Sequence, residues 1–213
     1  MKKKLKICSV ILAREGSKGI PNKNLKLIKN KPMIYYSINA SLKSKVDETW
    51  VSSDSKKILK IAKKFGSKIL LRPKKLAKDK SKSEDALIHF AENILFDILV
   101  FIQPTSPLIS YKDINQGLKL LKDFNSVLTV SKINQFIWFD KNPTYDIKDR
   151  KRRQDTNKNT YIETGSLFIT TRKRLLKYKN RLSGKIGFIE IERKRSFDVD
   201  NYEDLDLIKK IIR

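Results

Sequence analysis

Short apolar runs alternate with stretches of helical periodicity along most of this chain. Residues 6–13 and 97–103 are rich in β-branched and aromatic side chains, and the second run, DILVFIQ, is apolar almost throughout. Such a run is typical of a strand that is buried on both faces of a parallel sheet. Strands that alternate with helices of roughly 10–15 residues predict a three-layer α/β fold with a mostly parallel sheet.

Further predicted elements complete this pattern. Strands are expected at residues 48–53, 68–71, 126–130, 165–170 and 186–191, and helices after Pro32, Asp54, Ser81, Ser110 and Asp200. An oxygen-bearing side chain with a carboxylate three residues later marks three of the helix starts: Ser81 with Glu84, Ser110 with Asp113, and Asp200 with Glu203. Gly66 is expected to end the helix that follows Asp54.

The alternation breaks over residues 131–163. Exposed-looking aromatic residues such as Trp138 and Phe139 are followed there by a basic, asparagine-rich stretch at residues 150–159. A disordered loop is one interpretation, but the aromatic side chains favour an arm that packs on something else. We therefore expect one domain over residues 1–213 with residues 131–163 inserted as an arm. A twofold partner is the commonest way to bury such an arm, so the sequence predicts a homodimer.

The N-terminal segment and the single cysteine limit the cellular setting. No run of the sequence approaches the roughly 18 apolar residues of a membrane-spanning helix, and no cleavage pattern follows the first apolar stretch. Cys8 is the one cysteine of the chain, so an internal disulfide is excluded and a zinc site is not expected. We expect a cytoplasmic protein without a membrane partner, in which Cys8 is an inert core residue.

Positive charge dominates the composition, with a formal net charge of +25. Basic proteins often bind nucleic acid by neutralising phosphates. Here the lysines are spread along the chain among abundant Ile and Asn, which is the bias of an AT-rich coding sequence, and no RNA-binding or zinc-finger motif is present. Nucleic-acid binding is therefore not expected as the primary role, whereas a general attraction for anionic substrates agrees with the charge.

A glycine-containing loop follows the first predicted strand. Its sequence, ILAREGSKGIPNKNL at residues 11–25, matches neither common phosphate-loop pattern. Ligands of open parallel sheets bind at the carboxyl ends of strands, which is where this loop lies. Gly16 and Gly19 would let the backbone approach a ligand closely, and Arg14, Lys18 and Lys23 supply the positive charge that a triphosphate requires.

Two aspartates near the C-terminus form a second candidate site. Asp198 and Asp200 alternate in the sequence DVD, so both carboxylates point the same way in an extended segment. A hard cation such as Mg²⁺ prefers such ligands. The competing interpretation is that Asp200 is only a helix N-cap. His89, the one histidine, and Asp54, at a strand end, are expected to be a surface residue and a structural residue.

The loop and several later blocks closely resemble the signature of the acylneuraminate cytidylyltransferases. The blocks follow the family's order and span nearly the whole chain: VSSDS at residues 51–55, LRPKKLAKD at 71–79, IQPTSPL at 102–108, RRQD at 152–155, ETGSLFIT at 163–170 and SFDVDNYEDL at 196–205. The resemblance implies a Rossmann-like nucleotidyltransferase domain. It also implies a reaction in which CTP and a nine-carbon 2-keto acid sugar give the CMP-sugar and pyrophosphate.

The resemblance assigns roles to individual residues. It implies that the triphosphate is bound by Arg14, Ser17, Lys18 and Lys23, and that Asn24 and Arg72 lie near the cytidine. By the same resemblance Gln103 faces the acceptor sugar, and the arm is a dimerisation arm that lends Arg153, Gln154 and also Arg152 to the partner's pocket. Asp198 and Asp200 are the implied Mg²⁺ ligands. Arg14, Lys23 and Asp200 are the expected catalytic residues.

Two departures bear on the sugar side. Ile109 and Thr164 stand where the family often has arginine and asparagine. The acceptor is left open among sialic, legionaminic and pseudaminic acids. Two alternatives also remain: a related enzyme that activates the eight-carbon sugar Kdo, and a basic nucleic-acid-binding protein on a similar fold.

Overall fold

The computed structural model describes residues 4–17, 19–150, 152 and 160–212. The strands within them are β1 (Ile7–Leu12), β2 (Leu27–Ile28), β3 (Lys31–Pro32), β4 (Glu48–Ser53), β5 (Lys68–Leu71), β6 (Ile98–Ile102), β7 (Ser126–Ile133), β8 (Trp138–Phe139), β9 (Asn142–Pro143), β10 (Thr160–Thr171) and β11 (Ile186–Glu190). The helices are α1 (Met33–Leu42), α2 (Lys56–Lys64), α3 (Ser83–Asn93), α4 (Tyr111–Leu120), α5 (Arg172–Tyr178) and α6 (Tyr202–Ile211).

Seven of these strands form one sheet in the order β11-β7-β10-β6-β1-β4-β5. Strand β10 runs antiparallel to both of its neighbours, β6 and β7. The other pairs in this sheet are parallel. The prediction of a mostly parallel α/β sheet is therefore confirmed.

Apolar side chains cover both faces of the sheet, which gives the expected three layers. On one face Ile34 of α1, Ile58 of α2 and Ile114 of α4 pack in one buried cluster with the strands. On the other face Leu87 of α3 and Leu175 of α5 pack in a second cluster, which includes Cys8. Because each strand sends alternate side chains to opposite faces, a buried strand must be apolar on both, as the β6 sequence is.

A smaller cluster joins the loop after β1 to the C-terminal helix. Ile20 from the loop and Val199 from the DVD segment are both fully buried and pack with Leu205 and Ile208 of α6. These contacts connect parts of the chain that are almost its full length apart. They bring the two candidate sites of the sequence to the same place.

Of the three helix starts that were predicted from a capping pattern, only one is correct. Ser110 and Asp113 form a capping box at the start of α4, as predicted. Helix α3 begins at Ser83 instead, with Lys82 at its N-cap, and the Ser81 hydroxyl donates to the carbonyl of Lys75 at 3.0 Å.

The start of α6 corrects the assignment of Asp200 as a helix cap. Asn201 is the N-cap residue, and its side chain accepts a hydrogen bond from the amide of Asp204. Asp204, rather than Glu203, completes the capping box by accepting from the amide of Asn201. The carboxylate of Asp200 is therefore not used to cap the helix.

The predicted arm begins and ends inside the main sheet. Thr160 pairs with Ile133 and Tyr161 with Lys132, so β7 and β10 continue as an antiparallel ribbon into residues 131–163. Beyond this ribbon, β8 and β9 form a separate two-stranded sheet that carries the exposed side chains of β8. Dimerisation through this segment stays a prediction.

None of the helices found among the described residues combines the length and the apolar character that crossing a bilayer requires.

Candidate active site

The carboxyl ends of β1, β5 and β6 open into one cleft with a volume of about 600 Å³. This volume is within the range of small-molecule sites. Arg14 follows β1, Arg72 follows β5 and Gln103 follows β6, and all three line the cleft. The loop after β1 therefore lies where a ligand of an open parallel sheet is expected.

Most of the predicted site residues meet in this cleft. Those that line it are Arg14, Ser17, Lys23, Asn24, Arg72, Gln103, Asp198 and Asp200. Lys18, Arg153 and Gln154 lie outside the described residues. Arg152 is exposed and does not line the cleft.

Lys23 bridges the loop and the DVD segment. Its ammonium group donates to the carbonyl of Val199 at 2.7 Å and to Asp200 Oδ1 at 3.0 Å. The Lys23 side chain is only 14% exposed, whereas that of Asp200 is 76% exposed. A cation is thus fixed at the cleft wall, and the carboxylate beside it remains accessible to a ligand.

The two glycines of the loop have different surroundings. A Cβ atom added at Gly19 would collide with the backbone carbonyl oxygen of Asp200, whereas one added at Gly16 would meet open space. Gly19 is therefore required for the close approach of the loop to the DVD segment. Gly16 carries no such steric requirement.

Asn24 and Arg72 present buried polar atoms that lack protein partners. Asn24 donates to the carbonyl of Arg14 at 2.9 Å, but its Oδ1 has no hydrogen-bond partner among the described residues. The Nε of Arg72 is likewise buried and unpaired within the part of the chain that the structure describes. Burial lowers the pKa of the Arg72 guanidinium, whose residue is only 5% exposed. Buried polar groups normally have partners, so the two orphaned atoms point to a polar ligand.

Arg14 is paired across the cleft with Asp79. Its Nη1 atom lies 2.5 Å from Asp79 Oδ1. Asp79 lines the cleft but was not predicted as a site residue, although it belongs to the recognised LRPKKLAKD block. An anionic ligand that reaches Arg14 must compete with this carboxylate.

Asp198 and Asp200 lie on one wall of the cleft in different environments. The hydroxyl of Ser106 donates to Asp198 Oδ1 at 3.2 Å. Burial, together with the nearby negative charge of Asp200, raises the pKa of Asp198. A cation that binds both carboxylates would relieve this repulsion.

The donor set of this wall suits Mg²⁺ bound together with a phosphate ligand. No cluster of three or more metal-binding side chains occurs in the described part of the chain. Mg²⁺ usually takes one or two carboxylates and completes its shell with waters and phosphate oxygens. Two carboxylates beside a cation-lined cleft fit that requirement.

Gln103 is held through its backbone on both sides. Its amide donates to the carbonyl of Ser166 at 3.0 Å, and its carbonyl accepts from the hydroxyl of Ser37 at 3.1 Å. Ser37 belongs to α1 and Ser166 to β10, so two packed elements fix the residue. Its side chain lines the cleft.

Both departures from the family pattern are buried residues. Ile109 is buried in the core, and the hydroxyl of Thr164 donates to that of Thr129 at 2.8 Å. Neither Ile109 nor Thr164 lines the cleft. Any effect of these residues on the acceptor would therefore be indirect.

Asp54 and His89, for which the sequence predicted no catalytic role, have well-defined surroundings. Asp54 accepts a hydrogen bond from the amide of Glu15 at 3.0 Å, in agreement with a structural role. His89 is half-buried rather than at the surface, and burial lowers its pKa. It does not line the cleft.

Sequence reasoning missed part of the cleft's positive wall. Lys78 and Lys82 line it from the segment between β5 and α3. In a chain with 48 lysines and arginines, these two carry no signal of their own. Lys78 lies within the recognised LRPKKLAKD block and Lys82 lies three residues after it, and this was the only available indication.

Comparison with known proteins agrees with the site. A family model described as "Cytidylyltransferase" matches residues 8–212. The chain is 36% identical to N-acylneuraminate cytidylyltransferase B of Danio rerio over 204 residues, which cover 90% of this chain and 48% of that protein. It is 33% identical to the N-acylneuraminate cytidylyltransferase of Escherichia coli over 216 residues, which cover 95% of this chain and 51% of that protein.

Solved structures of low sequence identity share the fold. A CMP:2-keto-3-deoxy-manno-octonic acid synthetase solved with CTP superposes with a TM-score of 0.77 at 19% identity, covering 97% of this chain and 98% of the other. The chain spans about half the length of the curated relatives it matches. Because the family model covers almost all of it, the chain belongs to the cytidylyltransferase family, and its resemblance to the N-acylneuraminate cytidylyltransferases is confirmed.

Proposed function

We propose that this chain transfers CMP from CTP to a nine-carbon, sialic-acid-like 2-keto acid sugar and releases pyrophosphate. The observation that carries the proposal is the meeting of Arg14, Lys23 and Arg72 with two aspartates in one cleft at the carboxyl edge of the sheet. Relatives of the chain that bear the name N-acylneuraminate cytidylyltransferase support the same substrates.

The nucleotide base and sugar are assigned to the inner end of the cleft. Asn24 offers a buried acceptor and Arg72 a buried donor, and a cytidine has both kinds of complementary group. A ligand that pairs with them removes the cost of two unsatisfied buried atoms. This is the physical reason to place the cytidine there rather than the phosphates.

The triphosphate is assigned to the loop after β1. Lys23 is preorganised by its contacts with Val199 and Asp200, and Arg14 exchanges Asp79 for phosphate oxygens. Ser17 lines the same wall, and Lys18 of the same loop, which lies outside the described residues, is included by the family resemblance. Fixed cations of this kind stabilise the charge that develops on the departing pyrophosphate.

The reaction is an in-line displacement at phosphorus. The anomeric hydroxyl oxygen of the sugar bonds to the α-phosphorus of CTP and releases its proton to solvent, while the bond from that phosphorus to the bridging oxygen of pyrophosphate breaks and pyrophosphate leaves. Gln103, held by Ser37 and Ser166, is the residue that we assign to the acceptor. Most of the rate enhancement then comes from positioning and charge neutralisation.

Asp198 and Asp200 are the proposed ligands of Mg²⁺. When bound, this ion would neutralise phosphate charge and lower the pKa of an oxygen that it binds. Ser106 orients Asp198, and the capping by Asn201 leaves the carboxylate of Asp200 available.

The Asp200→Asn variant tests this assignment. We expect most turnover to be lost while CTP binding survives in weakened form, because Arg14 and Lys23 still contact the phosphates. The amide keeps the size of the side chain but lacks the negative charge that a hard cation requires. Rates titrated with Mg²⁺ for Asp200→Asn and Asp198→Asn measure the effect, and unaltered Mg²⁺ dependence in both variants would disprove the metal assignment.

A homodimer through residues 131–163 is the second part of the proposal. Trp138 is 50% and Phe139 70% exposed, and a twofold contact would bury both. Arg153 and Gln154, which lie outside the described residues, would then serve the partner's acceptor pocket, together with Arg152. Light scattering at micromolar concentration is expected to give a dimer mass, and a monomer mass contradicts the arrangement.

Pyrophosphate release with a panel of acceptors decides the substrate. We expect turnover with CTP, Mg²⁺ and one or more of N-acetylneuraminic, legionaminic and pseudaminic acids. Turnover with Kdo alone favours the eight-carbon alternative, whose fold this chain shares. Salt-dependent binding to RNA or DNA without any turnover favours the nucleic-acid alternative. A cytoplasmic location is part of the proposal and is supported by the single, unpaired Cys8.

A further inference from the structure

Arg195 makes an extensive set of contacts at a position that the proposed reaction does not use. It ends a short 3-10 turn, Arg193–Arg195, between β11 and the DVD segment. Its Nη1 atom donates to Asp113 Oδ1 at 3.2 Å, and its Nη2 atom contacts Asp113 Oδ2. This is the planar, two-pronged pairing that only a guanidinium forms with a carboxylate.

The same guanidinium also reaches the loop that follows β6. The carbonyl of Leu108 accepts from Arg195 Nε at 3.3 Å and from Nη2 at 3.1 Å. The hydroxyl of Ser110 accepts from Nη2 at 3.3 Å. Arg195 therefore joins the loop after β6, the start of α4 and the turn before the DVD segment.

The contacts of Arg195 continue along the segment toward the proposed metal ligands. Three residues later, Asp198 accepts from the Ser106 hydroxyl, and the Val199 amide donates to the carbonyl of Thr105 at 2.9 Å. Residues 105–110 and 195–199 thus run in opposite directions and are joined by hydrogen bonds at successive points. We call this pair of segments the seam. Pro104 and Thr105 line the cleft and Ser106 is buried beside it, so these hydrogen bonds fix the position of Asp198 in the cleft wall.

We propose that Arg195 is a positioning residue that acts through Asp198 and Asp200. It anchors the N-terminal end of the seam, and Thr105 and Val199 close the other end. Without the contacts of Arg195, residues 195–199 can shift along the loop after β6. The carboxylates of Asp198 and Asp200 are then no longer placed to bind the cation beside the phosphates. The inference rests on the proposed function, in which those carboxylates hold Mg²⁺.

The ion pair between Arg195 and Asp113 is partly buried, and this determines which variants can be used. The side chain of Asp113 is 8% exposed and that of Arg195 is 25% exposed. Removing only the guanidinium leaves the buried Asp113 carboxylate without its cationic partner and endangers folding. Arg195→Lys keeps the charge but not the fork, and the double variant Arg195→Gln with Asp113→Asn removes both charges while it keeps a capping oxygen for α4. Lys194→Gln is the matched control, because Lys194 is exposed and pairs only with the equally exposed Glu192 among the described residues.

Two measurements are independent of turnover. Hydrogen exchange of the Val199 amide reports on the seam itself, and Mn²⁺ binding in the presence of CTP, followed by electron paramagnetic resonance, reports on the two carboxylates. We expect the double variant to exchange the Val199 amide at least about tenfold faster and to bind Mn²⁺ about tenfold more weakly than wild type. For both measurements Arg195→Lys should lie between the double variant and wild type, and Lys194→Gln should match wild type.

Kinetics separate positioning from loss of fold. In the double variant the Mg²⁺ concentration for half-maximal rate should rise about tenfold and kcat should fall, with KM for CTP changed less than about twofold. Unchanged Val199 exchange and Mn²⁺ affinity in a folded double variant would overturn the role of Arg195. If wild type shows no turnover with any acceptor, the proposed function fails, whereas exchange and Mn²⁺ binding still decide the inference about Arg195.

Discussion

Charged and amide side chains have different surroundings at the two ends of the main sheet, the amino edge, where its parallel strands begin, and the carboxyl edge, where they end. At the amino edge every carboxylate that we describe is satisfied: Asp97 accepts from the amide of Lys6 at 2.7 Å, and Asp47 accepts from the amide of Ile7 at 2.8 Å. At the carboxyl edge, Asn24 and Arg72 keep buried atoms without partners in the described residues. The first arrangement stabilises the fold, and the second leaves binding capacity for a ligand.

Two carboxyl groups show the contrast most clearly. Hydrogen bonds from Lys68, Trp50 and Lys6 lower the pKa of Glu48 at the amino edge to about 2. Burial and a neighbouring carboxylate raise the pKa of Asp198 at the carboxyl edge. The same chemical group is thus stabilised as an anion at one end and destabilised at the other. A carboxyl group whose pKa is raised by burial in a cleft is typical of a functional site.

The largest expected effect is on turnover at the carboxyl edge. Lys23→Ala should lower kcat with CTP by about 100-fold or more, as loss of a preorganised charge contact commonly does. The side chain is mostly buried and donates two hydrogen bonds, so we expect the free energy of unfolding to fall by about 1 kcal/mol. Steady-state kinetics and urea unfolding measure both. Lys26→Ala, three residues away and outside the cleft, is the control, and equal kinetics in the two variants would exclude Lys23 from the mechanism.

The next effect tests the contact between loop and DVD segment. Gly19→Ala should weaken CTP binding by about tenfold and lower the melting temperature, because its Cβ would meet the carbonyl oxygen of Asp200 and the loop must move. Gly16→Ala has space for its Cβ and should leave the melting temperature unchanged. Calorimetry and thermal unfolding compare the two. Equal melting temperatures for both variants would contradict the close approach at Gly19.

At the amino edge the expected effect is on stability rather than on turnover. The folded-state pKa of Glu48, about 2, lies below its ordinary value of 4.5, so its contribution is complete above pH 4.5 and is lost as the pH falls toward 2. After allowance for its partly exposed lysine partners, Glu48→Gln should cost about 2 kcal/mol at pH 7. Urea unfolding from pH 7 to pH 3 should show the difference from wild type shrinking below about pH 4.5. Turnover at neutral pH should not change.

Glu192→Gln provides the comparison for that experiment. The pKa of Glu192 is lowered mainly by the hydrogen bond from Lys194, yet both side chains are exposed. Solvent screens such pairs, so this variant should unfold like wild type at every pH. Equal losses in the Glu48 and Glu192 variants would mean that the amino edge is no more than a set of surface ion pairs.

The smallest expected effect concerns Cys8, close to the Glu48 network. Burial, and after it the charge of Glu48, raises the pKa of this thiol to about 12. Because the thiolate is the reactive form, iodoacetamide at pH 8 should label the native protein far more slowly than the urea-unfolded protein. Mass spectrometry of timed samples measures both rates. Fast labelling of the native protein would show that the amino edge opens.

The sequence predicted those parts of the fold that depend on local pattern. Short strand-like runs between helical stretches placed strands such as β4 and β5 at their observed bounds, and Gly66 ends α2 with a positive φ of 90°. Helix starts were predicted less accurately. The N-caps of α3 and α6 are Lys82 and Asn201, each one residue after the predicted Ser81 and Asp200. The seven-residue helix α5 was missed, since two turns give too short a periodic pattern.

The candidate site, too, was predicted only where it depends on local sequence. The cations of the first loop and the DVD pair were recognisable because each is a short, continuous motif. The contact of Gly19 with Asp200 and the pairing of Arg195 with Asp113 join residues far apart in the chain. Contacts of this kind depend on the packed tertiary structure and leave no periodic trace in a single sequence.

The bond from Lys23 to Val199 spans 176 positions of the chain, which has a consequence for how the protein is made. During synthesis the N-terminal half emerges first, and its strands can begin to pair before the DVD segment leaves the ribosome. Closing so long a loop is entropically costly and slow, so the wall that carries Asp198 and Asp200 should be among the last parts to assemble. A nascent chain therefore gains this cleft only after residues 198–200 have been synthesised.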